Sequence, residues 1–237
     1  MKASCARGLF AAALISAAAC SANTDAGTGT GSGAETAEFQ VFPAVIYTGS
    51  DGTHEYKAPI IAAFAPGKVT WTIADPSVAS IAPEGPNGED LMIKTLKPGQ
   101  TTITAASGGK TVTATLNVAS YTAEQYNIGM SRYTASVDPN NPPCKDCHAP
   151  GKGPDHTATE LDADPDDEIQ HTFVTGVDPE GRPIAENSEF ANLLKGKKHM
   201  WTVTETEKIG LIAYLRALPP MGFPEFDAPT VDKETSK

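Results

Sequence analysis

Cys144-Lys145-Asp146-Cys147-His148, entered through Pro142-Pro143, constrains this chain more than any other stretch. Cys-x-x-Cys-His is the pattern by which a chain takes haem covalently. Two thiols add across the two vinyl groups of one porphyrin, and the two intervening residues space the sulfurs for that reaction. His148, next in the chain, is then delivered to the iron as its proximal ligand. Half of a zinc site is one competing reading, but zinc wants four ligands and the sequence holds no second Cys-x-x-Cys pair. A redox dithiol is another, but that motif needs no following His and belongs beside a strand-helix-strand pattern. The motif therefore implies one covalent haem c with its iron, held by Cys144, Cys147 and His148.

The remaining two of the four cysteines lie in the first 20 residues. Lys2 and Arg7 give that segment a positive start. Leu9 to Ile15 is an apolar run shorter than the roughly 20 residues that span a bilayer. Residues 1–20 read as an export signal. Ala17-Ala18-Ala19-Cys20 resembles a bacterial lipobox, with small residues before Cys, although Ala17 stands where Leu is usual. A plain signal peptide cut near Ala19 or Ala22 is the alternative. As a lipid anchor, Cys20 would carry a diacyl group and an amide-linked chain, enough for a stable tether where one chain alone is marginal. That implies the periplasmic or cell-surface face of a bacterial membrane. Residues 21–38 are small, polar and rich in Gly, a flexible linker with a mean reach of roughly 23 Å.

Residues 39–119 read as all-β. Short runs rich in Val, Ile and Thr alternate with turn residues, and strands are expected over 40–47, 59–65, 68–74, 77–82, 90–96, 101–106 and 110–118. Val112, Ala114, Leu116 and Val118 alternate with Thr113, Thr115 and Asn117, the period of a half-buried strand. Gly108-Gly109 before it marks a hairpin. Seven short strands in this length predict an Ig-like sandwich. Trp71, Asp75 to Ile81 and Gly99 to Ala105 resemble the bacterial immunoglobulin-like group 2 domain. Trp71 is expected to fill the core, and His54 to sit in a loop.

Residues 120–220 read as helical. Thr122 to Gln125 and Thr204 to Glu207 are capping boxes, opening helices over 120–135 and 204–218. Asp164 is expected to cap another helix, with Pro165 at its first position and Gly176 at its end. Residues 188–195 suggest a short helix stopped by Gly196. Ile209, Leu211, Ile212, Leu215 and Leu218 form an apolar stripe on the last helix. With the haem motif between these helices, residues 121–220 resemble a single-haem class I cytochrome c domain. In that family a Gly and an aromatic four apart, here Gly129 and Tyr133, pack against a pair matched by Leu211 and Tyr214. The family's axial Met lies just before the last helix, which points to Met200. His199-x-Trp201, together with His156-Thr157, resembles a subgroup with His-x-Trp at that place and points to His199. Neighbours in an extended loop face oppositely, so one of Met200 and His199 is the distal ligand. His156 follows His148 too closely to reach the opposite face, and His171 is expected to face solvent. Residues 221–237 read as a polar tail.

The fold class expected is therefore an all-β Ig-like sandwich followed by an all-α class I cytochrome c fold. The function expected is single-electron transfer by an exported, membrane-tethered chain with unidentified redox partner proteins. The alternative is an Ig-like binding or adhesion protein whose haem domain senses. No enzyme is expected: two-haem peroxidases need a second Cys-x-x-Cys-His, and a sixth ligand closes the iron. The net charge of -11 excludes the basic face that nucleic-acid binding needs. It points instead to a partner with a basic docking face.

Overall fold

The computed structural model describes residues 38–136, 142–148, 153–186, 194 and 199–224. The export segment with Cys5 and Cys20, most of the linker, the helix expected over 188–195 except Leu194, and the tail beyond Pro224 lie outside the described residues. Eight strands are present: β1 Gln40–Phe42, β2 Val45–Ser50, β3 Lys57–Ala63, β4 Thr70–Ile73, β5 Ala79–Glu84, β6 Asp90–Thr95, β7 Gly99–Ser107 and β8 Lys110–Ser120. They build two four-stranded sheets, ordered β1-β3-β6-β5 and β2-β8-β7-β4. The strand expected over 40–47 is two strands. Pro43 cannot donate to a ladder, and the chain changes sheet there. β1 pairs antiparallel with β3 (Val41 opposite Ala62), and β2 pairs parallel with β8 (Ile46 opposite Leu116).

The alternating residues of the two sheets meet in a core of Ile46, Ile60, Leu91, Ile93, Ile103 and Leu116, all fully buried. Each such side chain contributes about 1.5–3 kcal/mol relative to exposure. Trp71 is buried among them, and its indole N–H donates to the Gly88 carbonyl at 2.6 Å. A buried indole needs that partner. Gly108 and Gly109 take φ of 54° and 77°, the left-handed pair that closes the β7–β8 hairpin.

Four short helices are described: α1 Ala123–Thr134, α2 Ala158–Leu161, α3 Asp166–Thr175 and α4 Glu205–Arg216. Both capping boxes form. Thr122 Oγ1 accepts from the Gln125 N–H and Thr204 Oγ1 from the Glu207 N–H, at 3.1 and 3.2 Å. α3 is capped at Pro165, not by the Asp164 side chain, and ends at Gly176 with φ of 71°. α1 and α4 cross at Gly129 and Gly210, close enough that a Cβ on Gly129 would lie 1.9 Å from the Gly210 carbonyl oxygen. Beside the crossing, the rings of Tyr133 and Tyr214 lie 5.2 Å apart. On α4, Leu211, Ile212 and Leu215 are buried, while Ile209 at the end of the expected stripe is 40% exposed.

The expected all-α class I cytochrome c fold, standing as its own domain after the sandwich, is corrected here. The described residues, from Glu38 on, belong to one compact unit. The helices do not close a core by themselves. Their apolar cluster of Tyr133, Ile169, Leu211, Ile212 and Leu215 also takes in Tyr56, just ahead of β3, and Tyr121, just past β8. The Tyr47 N–H of β2 donates to the Asp162 carbonyl at the end of α2, at 2.7 Å. Tyr121 donates to Asp166 Oδ2 at 2.5 Å, and Asp166 Oδ1 receives the buried Arg216 through Nη2 at 2.9 Å. The other Arg216 N–H groups reach the Leu161 and Asp164 carbonyls. The helices thus form a layer on a dominant two-sheet body, tied to it by the Tyr47–Asp162 bond and the Tyr121–Asp166–Arg216 joint.

Candidate functional site

Cys144 opens a single 3-10 turn, Cys144–Asp146, behind Pro143. The N–H groups of Cys147 and His148 both return to the Cys144 carbonyl, at 3.2 and 3.0 Å. This tight turn sets the motif against α1. Both cysteines are free thiols and half-buried. Burial pushes the Cys144 thiol up to about 11. His148 Nδ1 donates to the Pro154 carbonyl at 2.9 Å, which fixes the tautomer and leaves Nε2 free.

The opposite wall is carried by α3 and the segment before α4. The Trp201 N–H donates to the Phe173 carbonyl at 2.9 Å, and its indole N–H to the Pro142 carbonyl at 3.2 Å. These two bonds tie His199 and Trp201 to the end of α3 and to the residues entering the motif. Gly176 is required there: a Cβ on it would lie 2.6 Å from the His199 carbonyl oxygen. The His199 ring stands edge-on to Trp201 at 4.6 Å and 6.0 Å from the His148 ring.

Between these walls is a cavity of about 150 Å³, lined by Cys144, His148, His156 and His199 and closed by apolar side chains such as Leu161, Ile169, Phe173, Leu211 and Leu215. The surroundings keep the imidazoles neutral. Burial pushes His199 down to about 4, helped by the nearby His148 and opposed by a backbone bond to Thr172. Burial also lowers His148, against the pull of the Pro154 carbonyl. It lowers His156 well below the ordinary imidazole range, with His148 and His199 adding to the effect. A neutral imidazole is the form that ligates a metal.

The residues singled out from sequence divide as follows. Cys144, His148 and His199 meet at the cavity, whereas Cys147 and Met200 are not on its wall. Met200 is 46% exposed. His171 faces solvent. His156 stacks on His148 with ring centroids 3.4 Å apart. Sequence reasoning set His156 aside because it cannot cross to the far face, and its position beside His148 had no local signal.

Cys144, His148 and His199 are the cavity residues that would hold a haem. The His148 and His199 rings stand 6.0 Å apart, and the His199 Nδ1 is buried without a hydrogen-bond partner. The cavity is smaller than a typical ligand pocket of roughly 300 Å³, so the donor set rather than the volume carries the fit.

No family model matches the chain, and no curated protein does. Among solved structures, domains 5-6 of the S-layer protein SbsC match at 20% identity, over 35% of this chain and 43% of that one, with a TM-score of 0.27. The M1 domain from titin matches at 11% identity, over 35% and 95%, with a TM-score of 0.25. An endo-fucoidan hydrolase of glycoside hydrolase family 107 matches at 15% identity, over 33% and 13%, at 0.25. The chain spans less than half the length of the SbsC domains it matches. The likeness is to S-layer and Ig-like domains.

These findings correct the family reading. The class I cytochrome c resemblance of 121–220, and with it the narrower group 2 assignment of the sandwich in a lipoprotein, is not supported by any family match. Among the described residues no group of three or more His, Cys, Asp or Glu is arranged to hold a metal ion. The expectation of a separate class I cytochrome c domain is withdrawn on those grounds. The physical reason is the shared core: helices closed by Tyr56 and Tyr121 are a layer of the two-sheet body.

Proposed function

We propose that this chain holds one haem covalently through Cys144 and Cys147, ligates its iron with His148, and serves single-electron transfer. The observation that supports this is the convergence of Cys144, His148 and His199 on one apolar cavity. Haem bound there supplies a one-electron couple at its iron. The chain's own residues do the rest. The thiols keep the group from dissociating. The Pro154 carbonyl holds His148 in one tautomer with Nε2 available. Leu161, Ile169, Phe173, Leu211 and Leu215 exclude water from its surroundings. His199 is assigned the distal position over Met200, because its ring faces the cavity while Met200 is 46% exposed. Imidazole in place of thioether lowers the reduction potential. The reading includes export, a lipid tether at Cys20 and a redox partner with a basic face, and it assigns no catalysis.

Haem-stained denaturing gels of the exported protein test it. Wild type is expected to give a band, and the double variant Cys144→Ser with Cys147→Ser none. A band that survives in the double variant sinks covalent attachment at this motif.

A second reading makes the Ig-like sandwich the working part, a binding or adhesion module, with the haem layer as its sensor. The joint from Tyr121 through Asp166 to Arg216 supports it, because it couples the cavity wall to the sandwich. Stopped-flow reduction by a partner protein or a quinol-linked chain discriminates. Reduction on the millisecond scale favours electron transfer, and failure of every donor to reduce the haem favours the sensor.

A further inference from the structure

We propose that His156 is a positioning residue for the axial imidazole of His148. The inference rests on the haem reading above. An imidazole ligates through an in-plane nitrogen, so a ring laid on its face does not compete for the metal. His156 lies in that way, with centroids 3.4 Å apart and planes 18° from parallel. The bond from Nδ1 to the Pro154 carbonyl holds one edge of His148. It constrains rotation of the ring at that edge alone, and the stacked His156 adds a constraint over the whole ring face.

His156 is itself held. Its neighbour Thr157 donates its N–H to Asp155 Oδ1 at 2.9 Å and caps α2, whose first residue, Ala158, is buried. Tyr133 of α1 covers the other side at 6.0 Å. The His156 Nδ1 is buried without a partner, so the ring is not placed by a hydrogen bond of that atom. Its flat face is the feature in use. Outer partners that fix a ligating imidazole set its orientation and tune the metal. A buried ring at this point also keeps water from the ligand, which disfavours the more positively charged ferric state.

The experiment compares exported wild type, His156→Ala and His156→Phe. Haem stain, the g-values of the ferric protein and the midpoint potential are read on each. His156→Ala is expected to keep its covalent haem, to change its g-values because the axial ring is freer to rotate, and to show a lower midpoint potential. His156→Phe restores a flat ring and is expected to return both readouts to wild type. An Ala variant with wild-type g-values and potential overturns the proposal. So does a Phe variant displaced from wild type, which is the deciding measurement if the Ala protein does not mature. If wild type itself takes no haem, the function proposed above fails first, and the gel separates the two failures.

Discussion

Gly129→Ala tests how tightly the helical layer is specified. A Cβ at this position would stand 1.9 Å from the Gly210 carbonyl oxygen, 2.4 Å from its carbon and 2.9 Å from the Leu211 nitrogen. All three atoms are backbone, so no side chain can rotate away. To bring the closest pair to 3.0 Å, the lower limit of real contacts, α1 and α4 must part by at least 1.1 Å, the difference between 3.0 and 1.9. Leu211, Ile212 and Leu215 share that interface and lose packing as it opens. Overpacking of this kind costs about 1–3 kcal/mol, occasionally more. Alanine's better helix propensity returns ~1 kcal/mol. The steric term wins, because here the whole crossing must move. The expected net loss is about 1 kcal/mol, up to about 2, read as a lower midpoint of urea unfolding followed by circular dichroism. Gly210→Ala, whose nearest contacts are 2.8 and 3.0 Å, should cost less. A Gly129→Ala protein as stable as wild type, or more fragile behaviour in Gly210→Ala, refutes the crossing geometry.

Two further perturbations, at Arg216 and Asp162, have expected outcomes. Arg216→Met removes the partner of Asp166, itself a third exposed, and of the Leu161 and Asp164 carbonyls, and should cost about 1–3 kcal/mol; calorimetry should still show sandwich and helices melting together. Asp162 is 2% exposed, its Oδ2 has no partner, and burial pushes its carboxyl up to about 8. The folded protein then keeps a proton that the unfolded chain releases near 3.8, so its contribution is full below that pH and is lost as pH rises towards 8, by at most about 1.4 kcal/mol per unit. Asp162→Asn should remove this slope and be the more stable protein at pH 9, and parallel stability profiles from pH 4 to 9 would contradict the assignment.

Local chemistry was legible in the sequence, and long-range closure was not. The capping boxes at Thr122 and Thr204, the Gly108-Gly109 turn and the alternation through Ala114, Leu116 and Val118 each use residues a few positions apart, and each formed. The strand over 40–47 failed at Pro43, because both halves carry the same alternation and nothing local says that they join different sheets. Asp164 looked like a cap, but its carbonyl is engaged by Arg216, 52 residues away. The independence of the helical domain failed for the same reason. Tyr56 and Tyr121 carry no sign that they complete the core around Leu211. At the site, Cys144 and His148 followed from the motif itself. That His199 lines the cavity while Met200 does not goes with the bonds from Trp201 to Phe173 and Pro142, which no spacing rule contains.

The most direct measurement is the absorption spectrum of the exported protein, oxidised and reduced, beside His199→Ala and Met200→Ala. The account predicts a covalent low-spin haem in wild type and in Met200→Ala, and a high-spin spectrum open to carbon monoxide in His199→Ala. A wild-type protein without haem absorption, or a Met200→Ala protein that turns high-spin while His199→Ala does not, contradicts it.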